Sequence, residues 1–407
     1  MIKHHAFFDA LGLSSEQDTT WQPTLAGLAV LRLLDDASEH PGRNSNDDWA
    51  AHRAARDAVA AIPEGHSSRA ILTRLLDGIR NGQETSEEAG RELLSLGRSF
   101  DLEGKWSVAA DVFQTIIQRF SSREQTGLVI ESNTALGAAA RHAGDWEGSA
   151  RAYAQAQHLA DTIGDVAASL TVDVGVANSQ MIRGNLPAAE AGLERVAADA
   201  RARGLSQVEA LALHSLASVA HSRGNYQKAI HLAYRSLELT SHATTRDRVL
   251  ADIAAAYAGL GMRETARDGY LIVTVTSPHQ WVRWQATLNL MELAIGGGDE
   301  AEFDAYAREM EAAPLDDRLR AYFLFYLALG SQRFGREGAD DQLRIAERFA
   351  SSHELHQIAF DVEAAVNGRA VKADTADAYS DATGGGGSEE LERIAEALLH
   401  LRERATA

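Results

Sequence analysis

The chain has no cysteine among its 407 residues. Disulfides, thiolate catalysis and any zinc site built on sulfur are therefore excluded. Proline is scarce, at six. Positive charge is also short: 39 Lys and Arg stand against 58 Asp and Glu, for a net charge of −19. Nucleic-acid backbones and anionic membranes attract positive fields, so neither is expected as the main partner. A locally basic groove on an acidic body remains compatible with this balance. No run approaches the about 18 apolar residues of a membrane span, and the opening stretch MIKHHAFFDALGL has no signal-peptide apolar core. A soluble, cytoplasmic protein is the default expectation.

What the chain does have is a period. Gly104, Gly144, Gly184 and Gly224 lie 40 residues apart and open the related phrases GKWSVAAD, GDWEGSAR, GNLPAAEA and GNYQKAIH. Two positions after each glycine come Trp106, Trp146, Leu186 and Tyr226; five after come Ala109, Ser149, Ala189 and Ala229. Nine after come Phe113, Tyr153, Leu193 and Ala233. Seven before stand Gly97, Gly137, Ala177 and Ala217, with Leu96, Leu136, Val176 and Leu216 at eight before. The step then shortens to 37, reaching Gly261, Gly298 and Gly335.

Within a phrase the apolar residues recur at three and four, as in Leu213, Leu216, Ala217 and Ala220, then Tyr226, Ala229, Ile230 and Ala233. That spacing predicts two amphipathic helices joined at Gly224-Asn225, residue types that tolerate a left-handed backbone. The small columns let the helices approach closely. Trp106, Trp146 and Tyr226 are expected in the core, while one of Trp281 and Trp284 is expected at the surface.

These columns resemble the tetratricopeptide repeat (TPR), with a step longer than the usual about 34 residues. The extended 40-residue type resembles the repeats of the kinesin light chain and of bacterial peptide-sensing regulators. The resemblance is strongest over residues 86–277. It implies an all-α fold, an α-solenoid of antiparallel helix pairs in a TPR-like right-handed superhelix.

The expected organisation is a helical N-terminal region, residues 1–85, acting as a cap with a degenerate repeat, followed by a solenoid over 86–367. Residues 368–387, including four consecutive glycines, read as a flexible linker spanning about 25 Å. Residues 388–407 form an amphipathic helix, with Leu391, Ile394, Leu398 and Leu401 on one stripe. Too short to persist alone, it is expected to dock on the last exposed helix face or in the groove.

No catalytic constellation emerges. His353 and His356 lie three apart without the metalloprotease spacing or a third ligand, and read as surface histidines. His4 and His5 read as a frayed terminus. The chain is expected to be non-catalytic, with no cofactor and no metal.

By the resemblance, the first helix of each pair lines a concave groove at 13, 10, 6 and 3 residues before the turn glycine. Those positions supply the partner-binding candidates Arg91, Arg98, Arg141, Asn178, His214, Ser218, His221 and Arg248. Basic and titratable groups outnumber Asp101 and Glu131 there. The family's carboxylate clamp is echoed only by Asn178, which disfavours a chaperone co-factor. The expected function is a protein–protein interaction scaffold or adaptor that takes a protein or peptide, in particular an acidic segment. A structural or assembly subunit and a peptide-responsive regulator remain as alternatives.

Overall fold

The computed structural model describes residues 3–13, 21–39, 46–120, 123–353, 355–366 and 387–406. Almost all of the expected linker, residues 368–387, lies outside the described residues. Every regular element among the described residues is helical, and the chain forms an α-solenoid of tandem antiparallel helix pairs. It divides into two compact units at the Gly184-Asn185 turn.

The first unit, Met1–Gly184, begins with α1 (His5–Leu13), α2 (Trp21–Glu39), α3 (Asn46–Ala60) and α4 (Ser67–Arg80). The repeats follow as α5 (Glu87–Leu102), α6 (Trp106–Arg119), α7 (Thr126–His142), α8 (Trp146–Ile163) and α9 (Val166–Ile182). Phe7, Leu31, Leu34 and Leu72 share one buried cluster with Leu93, Phe100 and Phe113. The N-terminal helices thus continue the core of the first repeats.

The histidine pair at the start is not frayed. His4 is 8 % exposed, with Nδ1 2.6 Å from Asp111 and Nε2 3.2 Å from Asp35. Only a ring carrying both protons donates to both carboxylates. Arg119 also bonds Asp35 at 2.5 Å. Burial works against the charged Asp35 carboxyl, but the Arg119 bond and the charges of Arg119, His4 and Lys3 hold it below its usual range. The sequence offered no cue for this because Asp111 is 107 residues away.

The turns explain the period. Gly144 has φ +79°, Asp145 N–H donates to Ala140 O at 2.9 Å, and the Asp145 carboxylate accepts from Gly148 N–H at 2.8 Å. One Gly-Asx pair thereby closes the first helix and caps the second. Gly164-Asp165 repeats the device: Asp165 N–H reaches Ala160 O, and its side chain caps Ala168 N–H. From α7 to α9 the helices therefore start every 20 residues, at Thr126, Trp146 and Val166.

The small column seven before the glycine is small because of the aromatic column nine after it. A Cβ on Gly137 would lie 2.8 Å from the Tyr153 ring, and the same ring covers Gly175 of α9. One aromatic thus packs on two glycines, one from its own pair and one from the next helix. Trp106 and Trp146 depart from the expected core placement. Trp146 is 37 % exposed, with the Arg183 guanidinium 5.9 Å from its ring, and Trp106 stacks half-buried on His142. Both open the first turn of their helix, at the edge of the packed layer.

The second unit, Asn185–Ala407, contains α10 (Leu186–Ala202), α11 (Ser206–Ser222), α12 (Tyr226–Leu239), α13 (Ala243–Gly259) and α14 (Arg263–Thr276). It continues with α15 (Gln280–Gly297), α16 (Glu300–Ala312), α17 (Asp317–Arg333), α18 (Ala339–Ser352), α19 (His356–Val366) and α20 (Gly387–Thr406). The Gly-Asx device returns at Gly224-Asn225 and Gly298-Asp299. Neither Trp281 nor Trp284 is fully exposed; Trp281 Nε1 donates to Asp316 at 2.6 Å.

The tail helix α20 packs on α14 and α12, not on the last helix pair. Leu391, Ile394 and Leu398 are buried in the same cluster as Ile230, Tyr257, Ile272 and Val273.

Candidate functional site

The first helices of the pairs carry the candidate face, and each unit has its own stretch of it. In the first unit, Arg91 of α5 reaches Glu131 of α7 at 2.5 Å, and Arg98, two turns further along α5, reaches the other Glu131 oxygen at 3.3 Å. Their side chains are 48 %, 57 % and 39 % exposed. Arg91 also lies 3.5 Å from Glu87 of its own helix, so two guanidiniums and two carboxylates form an open, charge-balanced ion-pair cluster.

Arg141 does not join that open patch. It is 9 % exposed and turns inward, to the Tyr153 hydroxyl at 3.5 Å and the Gly175 carbonyl at 3.4 Å. The reason lies in the glycines: with no side chain on Gly137 or Gly175, Tyr153 draws close and its hydroxyl offers the guanidinium an internal acceptor. Asn178 of α9 is half-buried, and its Oδ1 has no hydrogen-bond donor among the described residues.

In the second unit the candidates gather around a residue that the chosen columns missed. His214 is buried and faces the Asp252 carboxylate of α13 at 2.6 Å. Asp252 lies nine before Gly261, outside the inward columns read from the sequence, so its partnership with His214 was not visible there. The surrounding helices desolvate Asp252, which alone would raise its pKa. The His214 bond and the charges of His214, Arg248 and His221 outweigh this and hold it low. Yet the side chain keeps 49 % of its area exposed.

Of the groups whose charges act on Asp252, Arg248 is exposed, and so is His221, whose ring meets Tyr226 edge-on at 5.2 Å. Ser218 is half-buried and spends its hydroxyl on the His214 carbonyl at 3.2 Å. Further along, Tyr326 of α17 donates to Glu292 of α15 at 3.0 Å. Burial first, then the Glu292 charge, pushes the Tyr270 and Tyr326 hydroxyls up, so both remain protonated donors. The first-helix face of this unit is therefore a mixed polar track. Asp252 and Glu292 temper the basic excess that five repeats of columns suggested.

Elsewhere, His353 stacks on Phe349 with centroids 4.1 Å apart, while Glu354 lies outside the described residues. Among the described residues no group of three His, Asp or Glu side chains is placed to share a metal. No described helix is long and apolar enough to cross a membrane.

No family model matches the chain, and no curated protein does. Solved structures do. A Signal Transduction ATPase with Numerous Domains carrying a tetratricopeptide repeat sensor, from Pyrococcus horikoshii, is similar at 13 % identity and TM-score 0.44. The match covers 87 % of this chain and 55 % of that one, so this chain spans about half of that protein's length. A Rap protein complexed with Competence and Sporulation Factor matches at 11 % identity and TM-score 0.46, over 85 % of this chain and 98 % of its own. A circular tandem repeat protein aligns at 13 % identity with a TM-score of 0.18, over 96 % and 98 % of the two chains.

Proposed function

We propose that the chain is a non-catalytic interaction scaffold of the TPR-like kind, taking a peptide or protein segment along the first-helix face of its repeats. The observation that carries this reading is the shared carboxylate: Arg91 and Arg98 both rest on Glu131, with all three side chains open to solvent. An incoming Asp or Glu takes over one guanidinium without stranding a buried charge, because Glu131 keeps the other. In the second unit, exposed Arg248 and His221 beside Asp252 offer a similar exchange. A rigid array of such groups pre-organises many weak contacts, which lowers the ordering cost of an extended partner.

Panning a displayed random-peptide library on the full chain tests this. The expected result is enrichment of Asp- and Glu-containing peptides that is lost with Arg91→Glu/Arg98→Glu. Enrichment of apolar or basic peptides, or enrichment indifferent to the double reversal, contradicts it.

A further inference from the structure

The tail helix is held in a way that a simple end cap does not require. Its contacts fall on α14 and α12, the second helices of two repeats in mid-array. α18 and α19 bury Leu343, Ile358 and Val362 but leave three apolar side chains in water: Phe360 is 63 % exposed, Val366 49 % and Ile345 44 %. Covering the end of the array is therefore not what places α20.

Three features fix it where it is. Leu391, Ile394 and Leu398 enter the apolar cluster between the second helices. The buried Tyr257 hydroxyl donates to the Leu391 main-chain carbonyl at 2.8 Å. Arg402 pairs with Asp268 near one end, and Glu390 lies 3.4 Å from His231 near the other. The charge pairs set the direction in which a helix lies. The tyrosine bond reads a backbone carbonyl, which any helix offers. The apolar positions ask only for a stripe at spacings of three and four.

In the first unit a space of about 850 Å³ lies along α6, α7 and α8, walled also by Lys3, His4, His5, Ala6 and Asp35. Ala140, four before its turn glycine as Tyr257 is before Gly261, lies on its floor with Leu136 and Asn133. Asp111, Gln114 and Arg151 line its sides. The same register in the second unit has Tyr257 and is filled.

We propose that the groove formed by α12, α13 and α14 is a helix-binding site for a partner's amphipathic helix, and that α20 is its tethered resident ligand. The partner carries an apolar stripe spaced like Leu391, Ile394 and Leu398, with a basic residue one turn beyond it to meet Asp268. Its binding displaces α20. This site is separate from the first-helix face, and its test does not depend on that face.

The probe is a fluorescein-labelled peptide with the sequence of residues 388–406, titrated against the full chain and followed by anisotropy. Leu398→Asp in the full chain places a charge in the apolar seat and releases α20. The expected result is at least tenfold tighter probe binding to that variant than to the unaltered chain, since the tethered helix no longer competes. Arg402→Glu in the full chain loosens α20 through its charge pair alone and serves the same comparison where Leu398→Asp does not fold. A probe carrying Arg402→Glu is expected to bind the released chain at least tenfold more weakly, and to recover when the chain carries Asp268→Arg. Equal probe affinity for intact and released chains, equal binding of a scrambled-order probe, or indifference to the charge exchange overturns the proposal.

Discussion

The Tyr257 hydroxyl donates to the carbonyl of Leu391, 134 residues further along the chain. Tyr257 is fully buried, so this bond is shielded from water and its loss is felt directly. Tyr257→Phe keeps the ring and removes only the donor, and a neutral hydrogen bond contributes on the order of 1 kcal/mol net. The expected outcome is faster amide exchange across α20 with α13 itself unchanged. Exchange in α20 that does not respond would mean the bond does not hold the helix.

Gly137 is expected to tolerate no side chain without strain. An added Cβ lies 2.8 Å from the Tyr153 ring, which is itself pinned against Gly175. Gly137→Ala should cost about 1–3 kcal/mol by overpacking, read as a lower urea midpoint. Combining it with Tyr153→Leu should return part of that loss, because a smaller side chain vacates the contact. A double variant less stable than the sum of the two singles would show that the ring is not the obstacle.

His66 gives the fold a pH dependence of known sign. Burial lowers its pKa from 6.5 to about 4. Its Nδ1 accepts from Ser68 N–H at 3.2 Å as the cap of α4, a role only an unprotonated Nδ1 fills. Glu103 at 3.5 Å from Nε2 favours the charged ring, but the cap bond and the burial favour the neutral one. The folded pKa lies below the unfolded one, so the unfolded chain binds the extra proton first. This contribution is complete above about pH 6.5 and is lost as the pH falls towards 4, up to about 3 kcal/mol in all. His66→Asn retains a capping side chain and should flatten the stability profile in that window. A profile unchanged by the substitution would contradict the assignment.

Asp35 acts at lower pH and with the opposite chemistry. Its carboxyl is held below the usual range with Arg119 and His4 as partners, so its contribution is present above about pH 4 and is lost as the pH falls through the lowered value. Asp35→Ala leaves the Arg119 guanidinium, 11 % exposed, without this carboxylate. The expected cost is on the order of 3 kcal/mol, with α1 exchanging faster than α5. Equal loss of protection in both helices would show that α1 is not latched through this group.

The legible part of the fold was whatever repeats. Four glycines in phase announced the helix pairs, and their left-handed φ values, such as +73° at Gly224, give the phase its cause. The intervening turns at Gly164-Asp165 and Gly204-Leu205, both left-handed at φ +70°, lie outside the 40-residue phase of those four glycines and carry no matching aromatic column. What does not repeat was hidden. The His4 latch joins residues 107 apart, and the seat of α20 joins residues 134 apart, so neither leaves a local pattern. Exposure follows the columns for Arg91 and Arg98. It does not for Arg141, whose direction is set by a tyrosine beside two glycines, and the partner of His214, Asp252, lies on a neighbouring column.

Hydrogen exchange of the full chain with and without an Asp/Glu-rich peptide recovered by panning tests the interaction reading most directly. Protection is expected on the first helices, α5 and α7 around Arg91, Arg98 and Glu131, or α11 and α13 around His214 and Asp252, and it should weaken as salt rises. Protection confined to the second helices, or binding indifferent to salt, would contradict a first-helix face that takes acidic segments.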